Sequence, residues 1–507
     1  MNNQPDQPLA RVYLVGAGPG DPQLLTLRGR DCLARADVVF YDYLVNPQIL
    51  EHARRGAELV CLGRHGRGRI LSQDEINRRV IDEAHAGRTV VRLKAGDPAV
   101  FARAAEEVES LVAAGIAFEI VPGITAALAA GSHAGVSLTH RKLASAVAFV
   151  TGHEQDDKPA AAIDYAALAT FPGTLVFYMG VTSAGAWSAA LMAAGKPADT
   201  PVAVVRRCSW PDQQTLRGTL GSLAELVASH HLRPPAIVIV GDVVAWDQHA
   251  CWFTDRPLWG QRVLVTRPAE QAAAARDLLE EFGAQVLLQP AIEILPPEDW
   301  ALVDAHLARL TDYDWLVFSS ANGVRYFLDR MEAGGGDLRR LGPLKLAAMG
   351  PGTAEALAKY RLRADLMPHE YRAESLAEAL IAAGARRVLL VRASRGREVL
   401  AEQLAATGAS VDQVVAYRNQ DVEQPDPETA TALAEGRVDW ITVTSSAIAR
   451  SLVRLYGPLL AHARLASISP ITSATLRELG WQPAAEATEF TLPGLVRAIV
   501  AADEQGR

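Results

Sequence analysis

Short runs of β-branched and aromatic residues recur along the first quarter of the chain, at RVYLVG (11–16), DVVFYD (37–42), TVVRL (89–93) and FEIVPG (118–123), separated by helical patterns. This alternation predicts an α/β fold with mostly parallel strands, since parallel neighbours need a crossover long enough to hold a helix. One such helix is legible in detail. Ser72 and Glu75 form a capping box, Ile76, Val80 and Ala84 follow at helical spacing, and Gly87 can end the helix. It delivers the chain into strand 89–93 and the loop Lys94-Ala95-Gly96-Asp97-Pro98. A second set of runs, VAFVTG (147–152), TLVFYMG (174–180), PVAVVR (201–206) and AIVIVGDVV (236–244), predicts another α/β domain. The domains expected are 10–123 and 124–247, with a linker at 248–260, where periodicity fades.

A new strand pattern begins at RVLVTRP (262–268), and from there the chain repeats itself at an offset of 125 residues. Val263-Leu264-Val265-Thr266-Arg267 matches Val388-Leu389-Leu390-Val391-Arg392, and Asp314-Trp315 matches Asp439-Trp440. Two similar α/β units are implied. SSANG (319–323) corresponds to TSSAI (444–448), and MGPGTAEAL (349–357) corresponds at a slightly different offset to ISPITSATL (468–476).

At 507 residues the chain is too long for one core and suggests about three or four folding units. No apolar run is long enough for a membrane span, and the first residues lack an apolar signal core, so a cytoplasmic protein without a membrane partner is expected. The four cysteines lie far apart without a C-x-x-C pair, which suggests neither a metal site nor a disulfide framework. A net charge of −8 argues against nucleic acid as a partner. Anionic small molecules stay open, because arginines cluster locally.

Gly16-Ala17-Gly18-Pro19-Gly20-Asp21 follows a strand, but a dinucleotide fingerprint needs glycine where Asp21 stands, so a nicotinamide oxidoreductase is poorly supported. The run VYLVGAGPGDPQLLTLRG (12–29), with FYDYLVNP (40–47), SQDEIN (72–77), VVRLKAGDP (90–98), VPGITAA (121–127), SLTHR (137–141) and TLVFYMG (174–180), instead resembles uroporphyrinogen-III C-methyltransferases. The resemblance implies transfer of two methyl groups from S-adenosylmethionine, as co-substrate, to uroporphyrinogen III, giving precorrin-2. It carries Pro19, Gly96, Asp97, Val100, Thr125, Ala126, Met179 and Cys208 to the donor site, and Asp42 to the role of proton acceptor. A strand-end aspartate capping a turn is the plainer reading of Asp42. Uroporphyrinogen bears eight carboxylates, which suit guanidinium groups, so Arg67, Arg103 and Arg141 are candidate substrate contacts. The family also implies a homodimer through this half.

Two departures stand out. Arg64 occupies the place of a lysine proton donor, and guanidinium holds its proton too tightly for that task. The usual GGDPFIFGRGGEE is AGDPAVFARAAEE (95–107) here. These changes motivate an alternative in which the first half is a non-catalytic binding or dimerisation module.

RVLVTRP (262–268), YDWLVFSSANGV (313–324), AAMGPGTAEAL (347–357), YRAESLAEAL (371–380), VVAYR (414–418) and DWITVTSSA (439–447) resemble uroporphyrinogen-III synthases. This implies conversion of hydroxymethylbilane to uroporphyrinogen III by loss of water, inversion of one ring and closure, with no metal. Helix starts after the SSANG, GPGT, TSSA and SPIT motifs can point amides at substrate carboxylates. Ser320, Thr353, Ser445 and Thr472, with Arg267 and Arg392, are the candidate binding residues, and Tyr417 the candidate acid for the departing hydroxyl. Ser469 stands where the family usually has glycine. The fold implied for the whole chain is α/β, a two-domain tetrapyrrole methylase fold followed by two flavodoxin-like domains. By analogy one synthase domain comprises 261–294 plus 419–503 and the other 295–418, with the active cleft between them.

Overall fold

Five runs form a wholly parallel sheet in the computed structural model: β1 (Val12–Gly16), β2 (Val38–Tyr41), β3 (Glu58–Cys61), β4 (Val90–Lys94) and β5 (Phe118–Val121), in the order β3-β2-β4-β1-β5. Residues 12–63, 71–153, 163–246, 251–395 and 398–506 are described. Side chains alternate along these strands, so Val12, Leu14, Val38 and Phe40 fill one face and Tyr13, Val15, Val39 and Leu93 the other. The predicted helix forms at Gln73–His85 with both bonds of its capping box, and buries Ile76, Val80 and Ala84 on the Val12 face. The chain divides at Gly260/Gln261 into two units.

The second sheet departs from the parallel pattern. It holds β6 (Val147–Thr151), β7 (Thr174–Tyr178), β8 (Pro201–Arg206), β9 (Gln214–Thr219) and β10 (Ala236–Val240) in the order β6-β7-β10-β8-β9. Only β6 and β7 run parallel; β10 is antiparallel to β7 and β8, and β9 is antiparallel to β8. The link from β8 to β9 is too short for a crossover helix, and QTLRGT has no apolar run to announce a strand. The alanine-rich helix Ala126–His133 follows β5 yet packs Ala127 and Ala130 against Val176, Tyr178 and Ile239 of the second sheet. Small side chains allow this close approach, which fastens the two sheets together.

In the second unit the repeat becomes visible as topology. One sheet has the order β12-β11-β18-β19-β20, from β11 (Arg262–Val265), β12 (Gln285–Leu288), β18 (Trp440–Val443), β19 (Arg464–Ser467) and β20 (Ala485–Glu486). The other is β13-β17-β16-β14-β15, from β13 (Ile292–Leu295), β14 (Trp315–Phe318), β15 (Lys345–Ala348), β16 (Arg387–Ala393) and β17 (Ser410–Asp421). Equivalent aspartates open equivalent strands: Asp439 accepts the Arg262 amide at 2.7 Å and Asp314 the Arg387 amide at 3.0 Å. β13 pairs antiparallel with β17, matching Leu295 to Arg418 and Ile292 to Asp421. The positions 294/295 and 418/419 thus fall inside one ladder. Among the described residues, no helix is long and apolar enough to cross a membrane.

Candidate active sites

The adjacent parallel strands β4, β1 and β5 all end in glycine turns at one edge of their sheet. Gly18 and Gly96 exchange backbone hydrogen bonds of 3.1 and 2.8 Å. A Cβ on Gly123 would stand 2.3 Å from the Gly96 carbonyl, and one on Gly16 would stand 2.5 Å from the Gly123 nitrogen. The three turns therefore meet backbone to backbone, which only glycine permits. Asp97 locks the arrangement, accepting the Gly123 amide at 2.9 Å on one oxygen and the Ala99 amide at 2.8 Å on the other. Its carboxylate is engaged within the loop, and the open side of the turn is Gly96 itself. With φ +71, Gly96 has free space above it out to Ala126 N and Thr125 Cα at 3.9 Å.

Tyr178 organises the facing wall. Its hydroxyl meets Thr125 Oγ1 at 2.6 Å, accepts the Ala127 amide at 3.0 Å, and its ring lies 5.0 Å from that of Phe101. Burial pushes this hydroxyl above its ordinary range, so it stays protonated. Cys208 donates to the Ala126 carbonyl at 3.7 Å, and burial pushes its thiol up to about 12, which leaves it neutral. Val100 and Ala126 pack on the apolar cluster that contains Tyr178 and Cys208, and Met179 stands beside it, 51% exposed. The structure thus gathers Gly96, Asp97, Val100, Thr125, Ala126, Met179 and Cys208 around Tyr178. Pro19 lies on the first turn, which Asn46 holds by donating to the Gly20 carbonyl at 2.8 Å. The loop after β8 supports the same turn, with the Ser209 hydroxyl accepting the Asp21 amide at 3.0 Å and Trp210 packed against Gly20. Backbone strain concentrates here: Phe101, Arg103, Met179, Arg207 and Ser209 all have positive φ. Sequence reasoning did not single out Tyr178, Phe101, Asn46 or Trp210. Tyr178 carried a usable signal, a hydroxyl at the end of an apolar strand.

Asp42 ends β2 beside this edge, its amide donating to the Leu93 carbonyl at 3.2 Å. Its carboxylate, 31% exposed, accepts Arg92 Nη2 at 2.6 Å. Behind it, Glu107 Oε1 accepts Arg92 Nε at 3.1 Å and Lys94 Nζ at 2.7 Å, all three side chains buried. Burial lowers the affinity of Lys94 for its proton, and the neighbouring Arg92 lowers it further against the pull of Glu107. Arg103 faces solvent in a bidentate pair with Glu106 at 2.9 and 2.5 Å, and Arg141 is exposed. Arg64 and Arg67 lie outside the described residues.

In the second unit Tyr417 and Ser320 come together, with 2.8 Å between their hydroxyls. A bulge does this: opposite Arg392 and Ala393 the register of β17 jumps from Val415 to Tyr417, and the extra residue re-aims the tyrosine. Tyr417 is buried and stacks on Tyr326 at 6.0 Å and 17°, and burial pushes its hydroxyl above the usual range. Ser320 also caps the helix Ala321–Ala333, accepting the Gly323 amide at 3.1 Å. Arg267 reaches the same helix through Gln271, by bonds of 2.9 Å to Gln271 and 3.0 Å from Gln271 to Asn322. The Arg392 guanidinium is held by Gln413 at 2.7 Å and by the Glu398 carboxylate. Ser445 caps the helix Ser446–Tyr456. Thr353 and Thr472 are buried in the first turns of their helices, and Thr472 Oγ1 meets Ser469 Oγ at 3.1 Å. Ser469 replaces glycine without strain because its φ of −161° is extended backbone open to any residue, and its hydroxyl serves as the cap.

Residues 11–224 match the family of Tetrapyrrole (Corrin/Porphyrin) Methylases, and residues 273–497 match Uroporphyrinogen-III synthase HemD. The chain is 33% identical over 445 residues to the porphyrin biosynthesis protein HemD of Ruminiclostridium josui, covering 87% of this chain and 88% of that protein. The chain belongs to the family of fused tetrapyrrole methylases and uroporphyrinogen-III synthases. This methylase–synthase fusion is also 36% identical over 348 residues to the uroporphyrinogen-III C-methyltransferase of Bacillus subtilis (strain 168), covering 69% of this chain and 71% of that one. A solved uroporphyrin-III C-methyl transferase from Thermus thermophilus, complexed with S-adenyl homocysteine, is 40% identical over 46% of the fusion and 93% of its own chain, with a TM-score of 0.40. The fusion is a bifunctional enzyme of tetrapyrrole biosynthesis, with a methyltransferase half and a synthase half, each of the α/β class expected.

Proposed function

We propose that the synthase half closes hydroxymethylbilane into uroporphyrinogen III and that the methylase half methylates this product twice, with S-adenosylmethionine, to precorrin-2 for the siroheme or cobalamin branch. The observation that carries the reading is the convergence of Gly96, Thr125, Ala126, Met179 and Cys208 on one strained edge, with Asp42 beside it. These residues fit the donor: the hydrogen at Gly96 leaves room that a Cβ would take, and neutral, apolar groups line the wall opposite. When bound, S-adenosylmethionine supplies an electrophilic methyl group. The chain contributes mainly position, through turns fixed by Asp97 and Asn46. Asp42, partly open to solvent and oriented by Arg92, accepts the proton that the methylated carbon sheds. Arg103 and Arg141 reach solvent at this half and attract the acidic macrocycle.

In the synthase half, Tyr417 stays protonated and donates toward the departing hydroxyl, with Ser320 holding its orientation. The helix starts at Ser320, Gly350, Ser445 and Ser469 offer amides to the substrate's carboxylates. Four free cysteines suit a reducing cytoplasm. The resemblance to the methyltransferase family supports self-association of the methylase half, read by light scattering. Purified chain given hydroxymethylbilane and S-adenosylmethionine yields a dimethylated product; uroporphyrinogen III alone would reject the methylase reading and favour a non-catalytic first half.

A further inference from the structure

Charged side chains inside a core are costly unless each is offset, and the methylase half buries three of them together directly behind Asp42. Lys94 is 2% exposed, and Arg92 and Glu107 are each 4% exposed. The geometry is ordered as a chain. Glu107 Oε1 receives Lys94 Nζ at 2.7 Å, Arg92 Nε at 3.1 Å and Gln73 Nε2 at 3.2 Å, while Arg92 Nη2 reaches outward to Asp42 Oδ1 at 2.6 Å. The guanidinium is thus held from behind by one carboxylate and holds the other in front. We propose that Glu107 is a positioning residue for methylation, which fixes Arg92 so that it aims Asp42, and which offsets the charge of Arg92 and Lys94 so that Asp42 can still accept a proton.

The need for the offset follows from the task. A cation against a carboxylate weakens it as a base, and two cations would weaken it more. The titratable groups that interact with this carboxylate include Arg92 and Lys94 on β4 and the neighbouring Tyr43, with Glu107 behind them from the helix Ala104–Ala113. With Glu107 ionised the buried set carries one excess positive charge, which Asp42 itself balances. Without it the excess rises above one for as long as Lys94 keeps its proton. Lys94 and Asp42 sense each other directly, and Asp42 strengthens the hold of Lys94 on its proton.

The inference rests on Asp42 as the proton acceptor, and the test separates the two. In the full chain, Glu107→Gln lowers kcat for methylation about tenfold, leaves KM nearly unchanged, and moves the acid limb of the kcat profile to lower pH by about one unit. Lys94→Met, which places an apolar chain of similar length in the core, moves that limb to higher pH. The opposite signs distinguish charge offset from a merely structural role. A carboxylate titration by carbon NMR gives the same two shifts without turnover, and donor binding by calorimetry stays at the wild-type value in both variants. If Glu107→Gln does not fold, judged by far-UV circular dichroism, Glu107→Asp decides. The shortened carboxylate keeps its charge, so kcat falls while the acid limb stays in place, and a wild-type kcat would overturn the positioning role. Loss of methylation in Asp42→Asn, with unmoved limbs in the other two variants, would overturn the role of Glu107 and leave the base intact. Full methylation by Asp42→Asn would overturn both.

Discussion

Replacing Asp97 by asparagine should weaken donor binding although its carboxylate is spent on backbone. The two oxygens of Asp97 accept the Gly123 and Ala99 amides, at 2.9 and 2.8 Å. Asparagine has one acceptor oxygen, so in either orientation its NH2 group faces one of those N–H donors. A hydrogen bond to a charged acceptor contributes about 1.5–3 kcal/mol, and the solvent-facing Ala99 amide places the loss near the lower figure. The loss falls on a turn whose shape depends on Gly123 touching Gly96, so it is expressed in the donor site rather than spread over the half. A cost of about 1.4 kcal/mol is tenfold in affinity. Calorimetry of the full chain with S-adenosylmethionine should therefore show dissociation weakened by about tenfold. The synthase rate, measured on the same preparation, should be unchanged. Affinity within about twofold of wild type, or equal losses in both activities, would show that the carboxylate does not set the turn.

Gly123→Ala should abolish methylation while sparing the synthase, because its Cβ would meet the Gly96 carbonyl at 2.3 Å, and thermal unfolding should register about 1–3 kcal/mol of overpacking in the first half. Tyr417→Phe should slow ring closure without affecting methylation, at a cost of about 1 kcal/mol for the lost bond to Ser320; equal damage to both activities in folded protein would contradict the separation of sites. His306 is buried against Tyr313 at 2.6 Å, and burial, then Arg309, weaken its hold on a proton. The unfolded chain therefore binds more protons below about pH 6.5, and stability present above that pH is lost as pH falls toward the folded value. Calorimetric unfolding of the synthase half should show this acid sensitivity, and His306→Gln should flatten it.

Much of the fold was legible because apolar alternation and the repeat are written locally. The match of Asp314 to Asp439 marked two equivalent strand entries, and each aspartate does cap the neighbouring strand's first amide. The capping box at Ser72 announced its helix for the same reason, since both partners lie within one turn. What was not legible depends on distant pairing. Arg92 and Lys94 alternate with apolar residues as exposed strand residues do, yet both are buried, because Glu107 arrives from a later helix to receive them. Tyr178 joins the site only because the helix after β5 crosses to the second sheet. The bulge that aims Tyr417 is equally silent, since VVAYR reads as an ordinary strand until its partner strand is known.

The interrupted sheet of the second unit sets an order of assembly on the ribosome. β11 and β12 emerge early, but β11 needs β18 as its other neighbour, with Val263 opposite Trp440. The intervening sheet, β13 to β17, can complete all of its pairings before β18 has been synthesised. Until then β11 offers an unpaired edge, which other nascent chains can join. Slow translation between β17 and β18 would lengthen that exposure, so codon choice over residues 422–439 should affect the soluble yield of the fusion more than its final stability.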